Sequence, residues 1–187
     1  MQDIMVYDEA HYFDVGTSET PDIELGGVIT EMTESTNPTE QEKQYIHQKS
    51  KITKTTGYSN EFPITMDMVK GDKVFENFYK KFYERKTGND LNIDHYIVNL
   101  WENETEANTY KARKITQTVS ITECNGAAGE QKQITGSLKG GDFVYGTFNT
   151  STKTFTPNED WNVSSRMSKM DEEIEKMKQS RIIWAVY

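Results

Sequence analysis

Cysteine is almost missing from this chain. Cys124 stands alone among 187 residues, so an intrachain disulfide is excluded. Long apolar runs are missing too. The longest, Ile182 to Tyr187, is far too short to span a bilayer, so no membrane partner is expected. The opening MQDIMVYDEA has neither a basic start nor an apolar stretch, so no secretion signal is read there and a reducing cytosol is expected. His11, His47 and His95 are scattered, with no second ligand at metal-binding spacing. No nucleophile elbow, no phosphate-binding loop and no dinucleotide fingerprint occurs. Gly126, Gly129, Gly140 and Gly141 read as turn glycines. No catalytic residue, cofactor or metal is therefore expected.

Positive charge is missing from one region in particular. Residues 1–42 hold eleven acids and no Lys or Arg, whereas residues 43–60 hold Lys43, Lys49, Lys51 and Lys54 and no acid. Two readings fit: complementary solvated faces, or head-to-tail contact between copies. The net charge of −9 argues against tight duplex DNA binding, which needs a basic surface. Acid pairs such as Glu31 with Glu34, or Asp171 with Glu173, are what thirty acids produce by chance, so a glycosidase is disfavoured.

What remains is polar but not disordered. Hydrophobic residues are 34% and mean hydropathy is −0.80, yet aromatics reach 11%, which disordered chains lack. A small aromatic core under solvated strands is expected. Residues 1–24 read as extended. Asp22 to Ser35 reads as a strand bent at Gly26-Gly27, 35–44 as a polar loop, and Tyr45 to Thr56 as a Thr- and Lys-rich strand. Gly57 to Asn60 reads as a turn, and Phe62 to Met68 alternates with period two. Strands are also expected near Ile93–Glu102, Thr109–Glu123, Ile134–Leu138 and Asp142–Phe148, with Lys153–Thr156 closing a hairpin.

The helix is the best-marked element. Asp72 is a fitting N-cap, and Phe75, Phe78, Tyr79 and Phe82 fall on one face at helical spacing, enough to anchor a core against a sheet. Arg85 and Lys86 suit its C-terminal dipole, and Gly88 is expected to close it. A second helix over 166–180, with a seam through Met167, Met170, Ile174 and Met177, follows a polar linker. The fold expected is mainly β with α. It has two packed antiparallel sheets as a sandwich or barrel, one flanking helix, a long polar arm and a C-terminal helical extension. The domains are 1–157 and 158–187. The strand arms around 35–56 are too polar for a small core to bury, so their partners are expected on another chain.

These segments resemble the major tail tube protein of long-tailed, non-contractile bacteriophages. The resemblance is carried by Tyr12-Phe13-Asp14-Val15-Gly16, Gly27-Val28-Ile29-Thr30-Glu31, Asn37-Pro38, Glu42 through His47, Gly57-Tyr58 and Phe62-Pro63-Ile64. It continues through Met68, Gly71 through Phe75, Phe82 through Gly88, Gly141-Asp142, Gly146-Thr147-Phe148 and Lys153 through Pro157. It implies hexameric rings that stack into a hollow tube, through which DNA passes without specific binding along an acidic lumen. It implies self-association, with Asn37, Pro38, Glu40, Glu42, Lys43, Tyr45, Lys49, Lys51 and Lys54 in the inter-subunit contact. Tape-measure, tail-terminator and tail-tip proteins would be its partners, and the virion tail, assembled in the bacterial cytoplasm, its place. A phage-derived bacteriocin or injection tube is a variant of this reading. The alternative from another class is a β-sandwich adhesion or carbohydrate-binding module, with Trp101 or Trp161 as a stacking platform.

Overall fold

The computed structural model describes residues 3–17, 19–47 and 49–158. Within them the chain forms β1 Glu9–Asp14, β2 Ile23–Leu25, β3 Ile29–Met32, β4 Ser35–Lys43 and β5 Ile52–Asp67. After α1 Lys73–Tyr83 come β6 Asn92–Asn103, β7 Thr109–Asn125, β8 Gln133–Lys139, β9 Phe143–Asn149 and β10 Thr154–Pro157. Every pairing is antiparallel. The fold is mainly β with one flanking helix, as the sequence implies.

The strands form one hydrogen-bonded sheet with the path β2-β1-β6-β7-β8-β5-β3. Laid flat, its two end strands would stand about 29 Å apart at ~4.8 Å per strand. The chain nevertheless passes from Leu25 at one end to Ile29 at the other, and those four steps reach at most ~14 Å. The sheet must therefore curl until its ends meet. The Gly26 amide donates to the His11 carbonyl at 2.8 Å, and the Asp67 amide donates to the Val28 carbonyl at 2.9 Å, tying the link to both ends. A Cβ on Gly26 would stand 2.8 Å from the Phe13 ring and 2.8 Å from Ile29 Cδ1, which explains the glycine at this crossing. The two layers expected from the sequence are opposite walls of this one sheet.

The inside is filled by Phe13 of β1, Phe62, Ile64 and Met66 of β5, Ile93 and Ile97 of β6, Ile115 and Val119 of β7, and Ile134 and Leu138 of β8. Helix α1 adds Val74, Phe75 and Phe78 to the same cluster. Phe78 meets Phe13 edge-on at 5.6 Å. Each such aromatic contributes roughly 1.5–3 kcal/mol by area. Tyr79 and Phe82 are half-buried at the margin. The Asp72 carboxylate accepts from the Phe75 amide at 2.8 Å, the expected N-cap.

A second cluster lies on the other face of β6 and β7. Tyr96, Val98, Ala112 and Phe148 are buried there, with Phe155 against them. Tyr96 of β6 lies 5.7 Å from Phe155 of β10, three strands along the path, so β9 and β10 fold back over that face. β6 is consequently buried on both sides.

Several local expectations are corrected. Residues 35–44 are not a loop: Ser35–Lys43 is a strand in register with β5 from Ser35↔Glu61 to Lys43↔Ile52. Its side chains stay largely exposed, so it has no apolar period to read. Gly57 to Asn60 is not a turn, because β5 runs through it for 16 residues. Gly57 marks a bulge instead: Thr39 faces Gly57 and Glu40 faces Thr55, leaving Thr56 extra. The strand expected from Tyr45 starts at Ile52. The single strand expected over 22–35 is divided at Gly26-Gly27 into β2 and β3, and the acidic opening contains β1. α1 is closed by Arg85 rather than Gly88. Arg85 takes φ 53°, its amide bonds the Phe82 carbonyl, and the Lys86 amide bonds the Lys81 carbonyl. His95, one of the scattered histidines, is fully buried and hydrogen-bonded to Gln117. The expected linker and helix of 159–187 lie outside the described residues.

Candidate functional site

β5 has two parts with different surroundings. From Glu61 to Asp67 it pairs with β8 on one side, and Ile64 and Met66 also meet β3 on the other. From Ile52 to Asn60 only β4 lies beside it. β4 in turn has β5 as its partner and nothing beyond. The result is a two-stranded ribbon, nine β5 residues or about 30 Å long at ~3.3 Å per residue, projecting from the closed sheet. Both of its rims present backbone groups that the described residues leave without a ladder. A lone two-stranded hairpin is marginal in water, and an open edge is a template for another chain.

The ribbon is fixed where it leaves the body. Asn60 is buried; its side-chain amide donates to the Gly141 carbonyl at 3.1 Å, and its own carbonyl accepts from the Gly140 amide at 2.9 Å. On the opposite strand, Glu34 takes both guanidinium nitrogens of Arg113 at 2.9 and 3.0 Å. Arg113 also lies over the Phe143 ring, 4.9 Å from its centre. A bidentate, charge-assisted pair of this kind sets direction as well as distance. Neither anchor has a local signal: Arg113 lies 79 residues from Glu34, and only the sheet brings them together.

All nine residues anticipated for inter-subunit contact lie on this ribbon or its tip. Asn37 donates to the Ser59 carbonyl at 3.3 Å across the ribbon. Pro38 faces Tyr58, and lacking an amide proton it suits an edge strand. Glu40 is exposed beside the bulge, and Lys54 is paired in register with Gln41. Glu42 binds Lys51 at 2.6 Å. Lys43 lies over the Tyr45 ring at 5.5 Å, and Tyr45 stacks near His47 at 6.0 Å. Lys49 is exposed at the tip, next to a fully exposed Ile46. The tip therefore combines apolar and basic groups, and its described residues are exposed.

The acidic residues of the first part of the chain are distributed differently. Asp22 and Glu24 hold Lys73 at 2.8 and 2.7 Å, joining β2 to the start of α1. Glu24 also binds Lys153, joining both to the β9–β10 turn. Hydrogen bonds from Lys153 and Lys73 bring the Glu24 carboxyl down to about 2. Glu34 belongs to Arg113, while Glu31 is exposed. Asp14 and Asp94, which face one surface hollow, are likewise engaged: Asp14 accepts from the Gly16 and Asp22 amides, and Asp94 binds Lys114 at 2.6 Å. Among the described residues no group of three or more His, Cys, Asp or Glu is placed to hold a metal ion. Trp101 is partly exposed beside Asp3 and Ile4; Trp161 lies outside the described residues.

Solved structures of phage-type tails are among those similar to this chain. The SPP1 tail tube is similar over 76% of this chain and 78% of its own, at 15% identity and a TM-score of 0.62. The tail of an empty GTA particle, refined helically with C6 symmetry, is similar over 76% of this chain and 98% of its own, at 9% identity and a TM-score of 0.53. The chain thus has the fold of these tail-tube subunits. No family model matches the sequence, and no curated protein matches it by sequence.

Proposed function

We propose that the protein is the wall subunit of a phage-type tail tube. In this reading copies join side by side into hexameric rings, and rings stack into a hollow tube through which DNA leaves the capsid. The observation that carries it is the β4–β5 arm, open along both rims on a fold shared with tail tubes. Sister copies would supply the missing ladder partners, and ring closure would remove the exposed edges. The hexameric order is supported by the C6 symmetry of the similar GTA tail.

The remaining parts of the reading follow from charge and geometry. With a net charge of −9, wall carboxylates facing the lumen would repel phosphate and let DNA slide. Only charges within a screening length of ~8 Å of the DNA would count. The basic, apolar arm tip would meet an acidic face of a neighbour. Tape-measure and tail-end proteins would contact the lumen and the terminal rings, residues 158–187 would form an extension toward such a partner, and assembly would take place in the host cytoplasm.

Negative-stain electron microscopy of the purified protein tests the proposal. Hollow rods or rings with six-fold views are expected as concentration rises. A monodisperse monomer at millimolar concentration would overturn it.

A further inference from the structure

The last turn of α1 and the middle of β7 enclose an open groove of about 280 Å³. Lys81, Phe82, Arg85 and Lys86 line one side, and Thr118 and Ser120 the other. Three cations thus meet at one hollow of a strongly acidic protein. Only one of them is matched: Lys86 has Glu84 at 3.2 Å and Asp90 at 3.9 Å. Lys81 and Arg85 have no carboxylate within 4.0 Å among the described residues.

Each of the two unmatched cations is held in place. Lys81 donates one proton to the Asn92 carbonyl at 2.7 Å, which leaves two donors on the ammonium without a protein partner among the described residues. Burial of its stem brings the amine down to about 8, against the weak pull of Asp90. A desolvated ammonium without a counter-charge is unfavourable, and an incoming anion would relieve it. Arg85 lies over the Phe82 ring at 5.4 Å, and no hydrogen bond to its guanidinium is made among the described residues. Its backbone is left-handed, φ 53°, at a helix-closing position where glycine is the less strained residue. The helix end supplies about half a negative charge, too little for two cations.

We propose that this groove receives a carboxylate side chain from a second copy of this chain. The inference rests on the self-assembly reading and adds a contact to it that does not involve the arm. The donor is the acid-only region of the neighbour ahead of its arm, in which Glu19 and Glu31 are exposed and make no ion pair among the described residues. A second copy is the favoured source because assembly brings those carboxylates to high local concentration, with a bidentate guanidinium and a partly desolvated ammonium as hosts.

Two variants and one chemical probe test it. Arg85→Gly removes the guanidinium while placing at φ 53° the residue that conformation favours, so the unassembled fold is expected to melt no lower than wild type. Its concentration for assembly should rise about tenfold, as it should for Lys81→Met. An acylating ester applied at pH 8 should label Lys81 in the unassembled protein and leave it unlabelled in rings or rods. Assembly with Lys81 still labelled, or Arg85→Gly assembling at the wild-type concentration, overturns the groove contact and leaves the tube reading standing. Protection of Lys81 in the unassembled protein by millimolar inorganic phosphate, as complete as that given by assembly, assigns the groove to a free anion and also overturns it. Wild-type protein that never assembles overturns both.

Discussion

His95 Nε2 lies 3.0 Å from His11 Nδ1, against the largely apolar inner cluster of the sheet. The contact continues in both directions. His95 Nδ1 is 3.0 Å from Gln117 Oε1, and His11 Nε2 is 3.3 Å from a Glu9 carboxylate oxygen. His95 is also stacked on Phe13 at 4.6 Å and met edge-on by Phe62 at 5.3 Å. A polar line thus runs from β7 through β6 to β1 and out to solvent. The bond from His11 holds Glu9 below the usual carboxylate range.

Burial, and next the neighbouring His11, bring His95 from 6.5 down to about 3. The unfolded chain then binds a proton that the folded chain refuses. Stability from this group is fully present above pH 6.5 and falls as pH drops from there toward 3. His95→Leu is expected to lose about 1–3 kcal/mol at pH 7, because Gln117 Oε1 and His11 Nδ1 each lose their partner. It should also flatten the acid slope in that window. Urea midpoints at pH 7, 6, 5 and 4 check both effects.

Glu24 is held at about 2 by its two lysines, against 4.5 for a free carboxyl. Here the sign of the effect is the ordinary acid one: the stabilisation is present above pH 4.5 and lost as pH falls from there toward 2. Glu24→Gln should remove this part of the acid transition while changing stability at pH 7 only modestly, since the group is a quarter exposed. Thermal melts of the two proteins between pH 7 and pH 3 check the difference.

Phe78 is fully buried, whereas Tyr83, five residues on, is 72% exposed. Phe78→Ala should cost about 3–5 kcal/mol through lost burial and the cavity left against Phe13. Tyr83→Ala should stay within about 0.5 kcal/mol. Denaturant titration of the two variants reports the contrast directly.

The arm should matter for assembly and little for the fold. Thr36 and Asn60 are register partners, so an Asn-Gly turn can join them and delete residues 37–59. The shortened chain should fold, with a melting temperature within a few degrees of wild type, and remain monomeric at concentrations where the full chain forms rods. Light scattering and electron microscopy give the readout; rods from the shortened chain would remove the arm from the assembly account.

The local sequence determined those elements whose residues carry their own instructions. Asp72 caps α1, and the spacing of Phe75, Phe78, Tyr79 and Phe82 makes a face, so the helix was legible without its partners. The alternation through Phe62, Ile64 and Met66, and through Ile115 and Val119, was equally plain, because half-buried strands write their burial as a period of two. The strand arms around 35–56 were legible as too polar for a small core, and their side chains are largely exposed. What only the tertiary structure decided depends on partners distant in sequence. β4 is a strand because β5 lies beside it, not because of its own side chains. Gly57 is a bulge rather than a turn because the ladder continues past it. Gly26 to Val28 closes the sheet because its two ends happen to be consecutive in the chain. Arg113 reaches Glu34 only across the folded sheet, and His95 reaches His11 only once β1 pairs with β6. Strand pairing is a long-range choice of register, and an exposed edge leaves no periodic trace in the sequence that forms it.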